Sequence, residues 1–139
     1  KLRALATERT DGHGARLIDT PALRRQIAQL EIELMALEVS DLRVLAAINA
    51  GQDATPLLSL LKTLGTRIAQ RAMELTMEAA GPHGLIDHDG KPPASDGGMA
   101  GPRRARRAAD HYLNMRKASI YGGSNEIQME IIAKRALGL

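Results

Sequence analysis

Two Thr–Pro steps, Thr20–Pro21 and Thr55–Pro56, each open a long apolar stripe, and this pattern restricts the chain to packed helices. Threonine can accept hydrogen bonds from the free N–H groups of a helix start. Proline at the first helical position loses nothing by lacking its own N–H. After Pro21, apolar residues recur at Leu23, Ile27, Leu30, Leu34 and Leu37, the alternating three–four spacing of a helix with one buried face. The pattern continues through Val44 and Leu45 and ends near Gly51, roughly thirty residues or about 45 Å. After Pro56 a second stripe runs through Leu57, Leu61, Leu64, Ile68, Ala72 and Leu75 and is closed by Gly81–Pro82. With only "NAGQDA" between them, the two helices are expected to pack antiparallel. The repeated Thr–Pro is helix punctuation rather than an internal repeat.

The core available to these helices is aliphatic. Hydrophobic residues make up 44% of the 139 residues, enough for one globular domain, yet there are only two Tyr (Tyr112 and Tyr121) and no Phe or Trp. Leu, Ile, Val, Met and Ala must fill the interior, which favours helices over a sheet rich in aromatic and β-branched residues. Cysteine is absent, so disulfides and thiolate metal sites are excluded, and a reducing cytoplasm fits. The net charge of +3 is modest. No apolar run approaches the ~18 residues of a membrane span and no signal peptide is visible, so neither a membrane nor a secretory setting is expected. The chain begins with Lys, and "KLRALATER" has the look of a helix already under way, so a domain or fragment of a longer polypeptide is expected.

The rest of the chain reads as punctuation and shorter helices. Lys1–Arg9 has helical spacing at Leu2 and Leu5 and stops in the Gly- and Asp-rich "TDGHG". Residues 81–101 hold six glycines and three prolines, a density that predicts a long loop of the kind that is usually functional or mobile. Pro102 is expected to open a third helix reaching about Ile120. Ser124 then caps a fourth, with Ile127, Ile131 and Ile132 facing inward. The fold class expected is all-α, an antiparallel four-helix bundle over residues 1–139.

Several clusters invite a functional reading. The basic run "RRARR" at 103–107 has no aromatic neighbours for base stacking and stands alone, so a solvated or anion-facing helix end outweighs a nucleic-acid interface. His13, His83, His88 and His111 lack the spacing of a metal site. In "AAGPHGL", a glycine C-cap followed by proline explains Gly81 and Pro82, but it leaves Gly84 over. In "SIYGGSNEIQ", a capped turn explains one glycine and Ser124. The second glycine is left over, beside a hydroxyl, an amide and a carboxylate at Ser124, Asn125 and Glu126. Free N–H groups at such a helix start favour polar or anionic ligands.

These two turns are also where the chain resembles a known family. "RKASIYGGSNEIQMEIIAKRALGL" resembles the C-terminal signature of the acyl-CoA dehydrogenases, flavoproteins that desaturate acyl-CoA thioesters at Cα–Cβ. "GTRIAQRAMELTMEAAGPHGL" resembles the preceding helix of that family with its glycine turn, and Glu8–Arg9 followed by "GHG" resembles the family's Arg-containing flavin loop. The resemblance covers nearly the whole chain, most specifically residues 63–84 and 113–139. It implies the C-terminal helical bundle of a three-domain subunit, FAD as cofactor, an acyl-CoA substrate and electron-transfer flavoprotein as electron acceptor. Assembly as a homo-oligomer (dimer or tetramer) or a hetero-oligomer is implied too, with no nucleic-acid or membrane partner.

By position, the resemblance implies that Arg9 meets the pyrophosphate or adenosine end of FAD. Glu78, Gly81, His83 and Gly84 would line the turn against its ADP part, with Ser124 and Glu126 beside the cofactor. The sequence departs from the family pattern at three places: His13 precedes Gly14 where Phe is usual, Glu78 stands for Gln, and Pro82 for a second glycine. Many members carry their catalytic Glu where Gly122 stands. Gly122 cannot be a base, so the resemblance implies either a Glu in the helix that leads into the Arg loop or a non-catalytic subunit whose companion carries the base. Gly122 then reads as a vacated catalytic position.

Overall fold

In a computed structural model, residues 1–85 and 101–139 are described, and the regular structure among them is helical apart from one isolated bridge between Thr10 and Arg16. The α-helices are α1 (Leu2–Glu8), α2 (Pro21–Asn49), α3 (Thr55–Ala80), α4 (Ala108–Met115) and α5 (Asn125–Ala136). Short 3-10 turns occupy Leu17–Asp19, Gly81–Gly84 and Arg116–Ser119. The all-α class expected from the stripes is the class found. Of the loop expected over 81–101, Gly81–Gly84 instead form a 3-10 turn, and residues 86–100 lie outside the described residues.

Two compact units are distinguished, one of Lys1–Gln29 with Gln70–Arg116, the other of Leu30–Ala69 with Lys117–Leu139. The long helices α2 and α3 contribute to both units and meet within each. In the first unit the Arg71 guanidinium donates to Gln26 Oε1 at 2.9 Å. In the second, a Cβ added at Gly65 would touch Leu37 Cδ2 at 3.7 Å.

The first unit holds most of the buried side chains. Leu5 and Leu75 are fully buried, with Leu23, Ile27, Ala79, Ala80, Ala105 and Ala108 close to it. The 3-10 turn at the end of α3 packs unusually tightly there. A Cβ on Gly84 would lie 2.8 Å from the Ala80 methyl, 3.4 Å from the Ala108 methyl and 3.4 Å from Met77 Sδ. This explains the glycine that a simple C-cap leaves over: position 84 has no room for a side chain. A polar network ties the same unit together, as Glu74 accepts from Arg71 at 3.1 Å and from Arg116 at 3.2 Å. The Gln70 amide donates to the carbonyls of Met115 (3.1 Å) and Arg116 (3.3 Å) at the end of α4.

In the second unit Val44, Ala54, Ser59, Ile68 and Ala118 are buried and Leu30 and Leu37 half-buried, whereas a second apolar row on α2, outside the expected stripe, faces outward. Ile32, Met35, Val39 and Leu42 are each more than half exposed, as is Leu45. The inward direction expected for Ile127 is corrected: it is 51% exposed, while Ile131 and Ile132 are half-buried.

Three helix starts differ from expectation. Pro102 opens no helix. Residues Pro102–Ala108 instead form successive turns, with Ala105 N bonded to Pro102 O and Ala108 N to Ala105 O. Arg107 adopts a left-handed conformation (φ 60°, ψ 20°) that a right-handed helix cannot pass through, so α4 begins only at Ala108. The basic run therefore lies in a turn rather than in helical turns. Thr20 does not cap α2 with its hydroxyl, which donates back to Leu17 O at 2.7 Å. At α3 the capping oxygen belongs to Asp53, whose Oδ1 accepts from Thr55 N at 3.0 Å while Oδ2 meets Arg135 at 3.1 Å.

Two outcomes are expected. Gly84→Ala should lower the urea-unfolding free energy by about 1–3 kcal/mol, the usual cost of overpacking against groups that cannot move aside. Gly12→Ala, where an added Cβ meets nothing within 4 Å, should leave the midpoint unchanged. The second outcome concerns Asp53, whose carboxyl is held below its ordinary value of 3.8 by the Thr55 hydroxyl and amide and by Arg135. A lowered carboxylate pKa contributes stability that is present above the ordinary value and lost as pH falls through the folded one. The stability difference between wild type and Asp53→Asn, measured by urea titration, should shrink as pH drops from neutral to below 3.8. A difference independent of pH would contradict this role.

Candidate functional site

The first cluster of predicted residues forms around the end of α3. Gly81 has φ +56°, a left-handed value that lets the chain leave α3 and enter the 3-10 turn without a side-chain clash. The guanidinium of Arg9 reaches the same spot from the end of α1, and a Cβ on Gly81 would lie 3.2 Å from Arg9 Nη2. Arg9 Nε is buried and has no hydrogen-bond partner among the described residues. A half-buried guanidinium with an unused donor, lying on bare glycine backbone, is suited to an anion, which it can engage with paired N–H groups.

The segment after Arg9 is built to hold that arginine. Leu17 N donates to Arg9 O at 2.8 Å, and Asp11 Oδ1 accepts from the amides of His13 (2.8 Å) and Ala15 (3.0 Å) around a left-handed Gly14. A neighbouring open cleft of about 530 Å³ is lined by Glu8, Arg103 and Arg104, with Arg104 Nε 2.6 Å from Glu8 Oε1.

The other residues named for this turn do different things. His83 lies against the backbone of Gly101, whose φ of +61° and bare Cα make room for the imidazole. Gly84 is a packing glycine. Glu78 is exposed on the last turn of α3. Arg106 is a second arginine of this unit whose Nε is buried without a partner among the described residues. In the sequence it is hidden inside a basic run whose members all look solvated.

The second cluster is the glycine turn before α5. Gly122 has φ +67° and Gly123 φ +88°, so two successive residues are left-handed and the turn itself asks for both glycines. A Cβ on Gly123 would collide with the Gln128 amide, whereas one on Gly122 meets nothing within 4 Å. Ser124 caps α5 as expected, its Oγ accepting from Ile127 N at 3.4 Å. Glu126 sits in the first turn, its carboxyl held below the ordinary value by a hydrogen bond from Ser124, by its own amide and by the charge of Lys62. Lys62 on α3 donates to Asn125 Oδ1 at 3.1 Å.

In the sequence Lys62 is hidden among the residues of the apolar stripe. The available signal was polar spacing: Lys62, Thr66 and Gln70 recur every four residues along one face of the helix.

Residues 2–137 match the family model for the acyl-CoA dehydrogenase C-terminal domain. Among curated proteins the chain is similar to the acyl-CoA dehydrogenase IpdE1 of Mycolicibacterium smegmatis, at 31% identity over 121 residues covering 87% of this chain and 26% of that protein. It is also similar to the acyl-CoA dehydrogenase FadE26 of Mycobacterium tuberculosis, at 27% identity over 146 aligned positions covering 100% of this chain and 33% of that protein.

Among solved structures, a chain of the ChsE4–ChsE5 complex from Mycobacterium tuberculosis superposes with a TM-score of 0.76 at 27% identity, covering 99% of this chain and 33% of that one. The FAD complex of PigA shares the fold, with a TM-score of 0.76 at 23% identity over 99% of this chain and 31% of that one. The chain thus spans about a quarter to a third of the length of these relatives. With its match running almost from end to end, the chain belongs to the acyl-CoA dehydrogenase family, in the part that forms the C-terminal helical domain.

Proposed function

We propose that this chain is the FAD-facing C-terminal domain of an acyl-CoA dehydrogenase that desaturates an acyl-CoA thioester between Cα and Cβ. The observation that carries the reading is Arg9, a half-buried arginine with an unused Nε donor against the bare backbone of Gly81, in a chain matched by the family model. Arg9 would hold the pyrophosphate of FAD, and the absence of a Cβ at Gly81 lets that anion approach the backbone. Ser124 and Glu126 would face the cofactor from the start of α5, with Glu78, His83 and Gly84 in supporting positions around the α3 turn. FAD supplies the acceptor for the hydride that leaves Cβ, and electron-transfer flavoprotein is the proposed acceptor of its electrons.

Gly122 carries no side chain and cannot take the α-proton. General-base work needs a carboxylate within about 3 Å of that proton. In this reading the carboxylate is a Glu in the helix leading into the Arg9 loop, just upstream of Lys1, and the bare Gly122 leaves space for it and for the acyl group. A second reading, a non-catalytic subunit whose companion carries the base, is favoured by the same bare position. The similar ChsE4–ChsE5 structure is itself a complex of two differently named proteins.

The test uses the full-length protein containing this chain. Arg9→Ala should weaken FAD retention about tenfold or more, as expected for loss of a charge-assisted contact, and Arg9→Lys should restore only part of it. Replacing the upstream Glu by Gln should abolish acyl-CoA oxidation with FAD still bound, and Gly122→Glu should then rescue turnover. FAD retention unaffected by Arg9→Ala would remove the basis of the reading. Full activity without the upstream Glu would move the base to a companion subunit. The isolated chain should be inactive on acyl-CoA with an artificial acceptor.

Assembly follows from the exposed row Ile32, Met35, Val39 and Leu42, since contiguous apolar surface of this kind marks an association face. We expect a dimer or larger assembly by light scattering, shifted toward monomer by Val39→Glu. A wild-type monomer at high concentration would contradict it.

A further inference from the structure

The turn that carries Gly122 and Gly123 takes hydrogen bonds from side chains on the helices around it. Gly122 and Gly123 are exposed, and the side-chain amide of Gln128 on α5 reaches back to Gly122 O at 3.5 Å. The conformation of the turn matters to any chemistry next to it, because two left-handed residues in succession can be replaced by many other glycine conformations at little cost. Helix α3 holds the same segment at two further points. On the entry side, the Thr66 hydroxyl donates to Ala118 O at 3.4 Å, and Ala118 is buried. On the exit side, Lys62 Nζ donates to Asn125 Oδ1 at 3.1 Å, at the first residue of α5. Thr66 and Lys62 are four residues apart on α3 and so stand one above the other on the same face. The segment from Ala118 to Asn125 is thus tied to one helix near both of its ends.

We infer that Lys62 is a positioning residue for the glycine turn: its ammonium group, by holding Asn125, fixes where α5 starts and hence the path of Gly122 and Gly123. Of the two pins, Lys62 is the stronger. Its hydrogen bond is charge-assisted and shorter than that of Thr66, and its cation also lies close enough to favour the Glu126 carboxylate in the same first turn. It is half-buried on α3, so the helix carries the position of its amine to the turn with little slack. In the proposed dehydrogenase, on which the catalytic consequence rests, the turn borders the substrate α-carbon. Loss of Lys62 should then misplace the reacting carbon without removing the base or the cofactor.

The experiment measures amide hydrogen exchange across the full-length protein in wild type, Lys62→Met, Lys62→Arg and Asn125→Ala. Lys62→Met should speed exchange at residues 124–128 by about tenfold, the effect of losing one hydrogen bond to a charged group, with amides of the Leu75 core unchanged. Lys62→Arg, which keeps a cationic donor, should restore most of the protection. Asn125→Ala should reproduce the effect, and the double variant should add nothing, as for two partners of one interaction. If full-length wild type oxidises acyl-CoA, Lys62→Met should lower kcat about tenfold at nearly constant KM, the signature of an interaction expressed in the transition state.

Exchange at 124–128 that stays at the wild-type rate, or that rises equally in the core, would overturn the assignment. A wild type with no acyl-CoA oxidation would overturn the dehydrogenase reading alone, because the exchange measurement needs no turnover.

Discussion

The contact on which the first unit depends is the close approach of small residues at the end of α3. Ala79 and Ala80 are buried, Gly84 comes back over Ala80 after a single 3-10 turn, and Ala108 at the start of α4 closes on the same spot. Backbones can come this near only where side chains are methyl groups or absent, and interiors packed to this density do not tolerate an extra carbon. The consequence reaches the site. Because Gly84 is drawn down onto Ala80, the chain must leave α3 abruptly, and the left-handed Gly81 is where it does so. That exposes bare backbone where the Arg9 guanidinium arrives. Packing creates the turn, and the turn creates a surface suited to an anion.

The face of α3 that carries polar residues does a second job. Gln70, Thr66 and Lys62 each hand a hydrogen bond to the C-terminal third of the chain, at Met115 and Arg116, at Ala118 and at Asn125. The first two reach carbonyls at the end of α4 and in the 3-10 turn that follows it. The long helix therefore organises the segment after it through polar groups as much as through its apolar stripe. The two glycines carry no side chains of their own, and the hydrogen bonds from α3 help to define where the turn between Ala118 and Asn125 lies.

The aliphatic composition is used differently in the two units. In the first, Leu5, Leu23, Ile27 and Leu75 are buried as the stripes anticipate. In the second, a row on α2 with the same helical spacing stays exposed, together with Ile120 and Met129. Helical periodicity identifies a face that avoids water but does not name what covers it. The proposed covering is another subunit, in keeping with relatives three to four times the length of this chain.

The sequence by itself determined the helices and the family. Thr–Pro starts, the three–four apolar spacing and glycine stops are local instructions, because a helix is defined by bonds four residues apart, and they located α2, α3 and the start of α5 closely. The motifs around Gly81 and Gly122 likewise identified the acyl-CoA dehydrogenase family without coordinates.

What only the tertiary structure decided were features that depend on residues distant in the chain. The packing of Ala108 onto Gly84 is one, the cap of α3 by Asp53 held to Arg135 another, and the exposure of Ile127 a third. The late start of α4 follows from a left-handed Arg107, which propensity does not anticipate in a residue with a side chain. Lys62 shows the same limit most directly. Its partner is 63 residues away, and no local rule relates a lysine inside an apolar stripe to the asparagine that opens another helix.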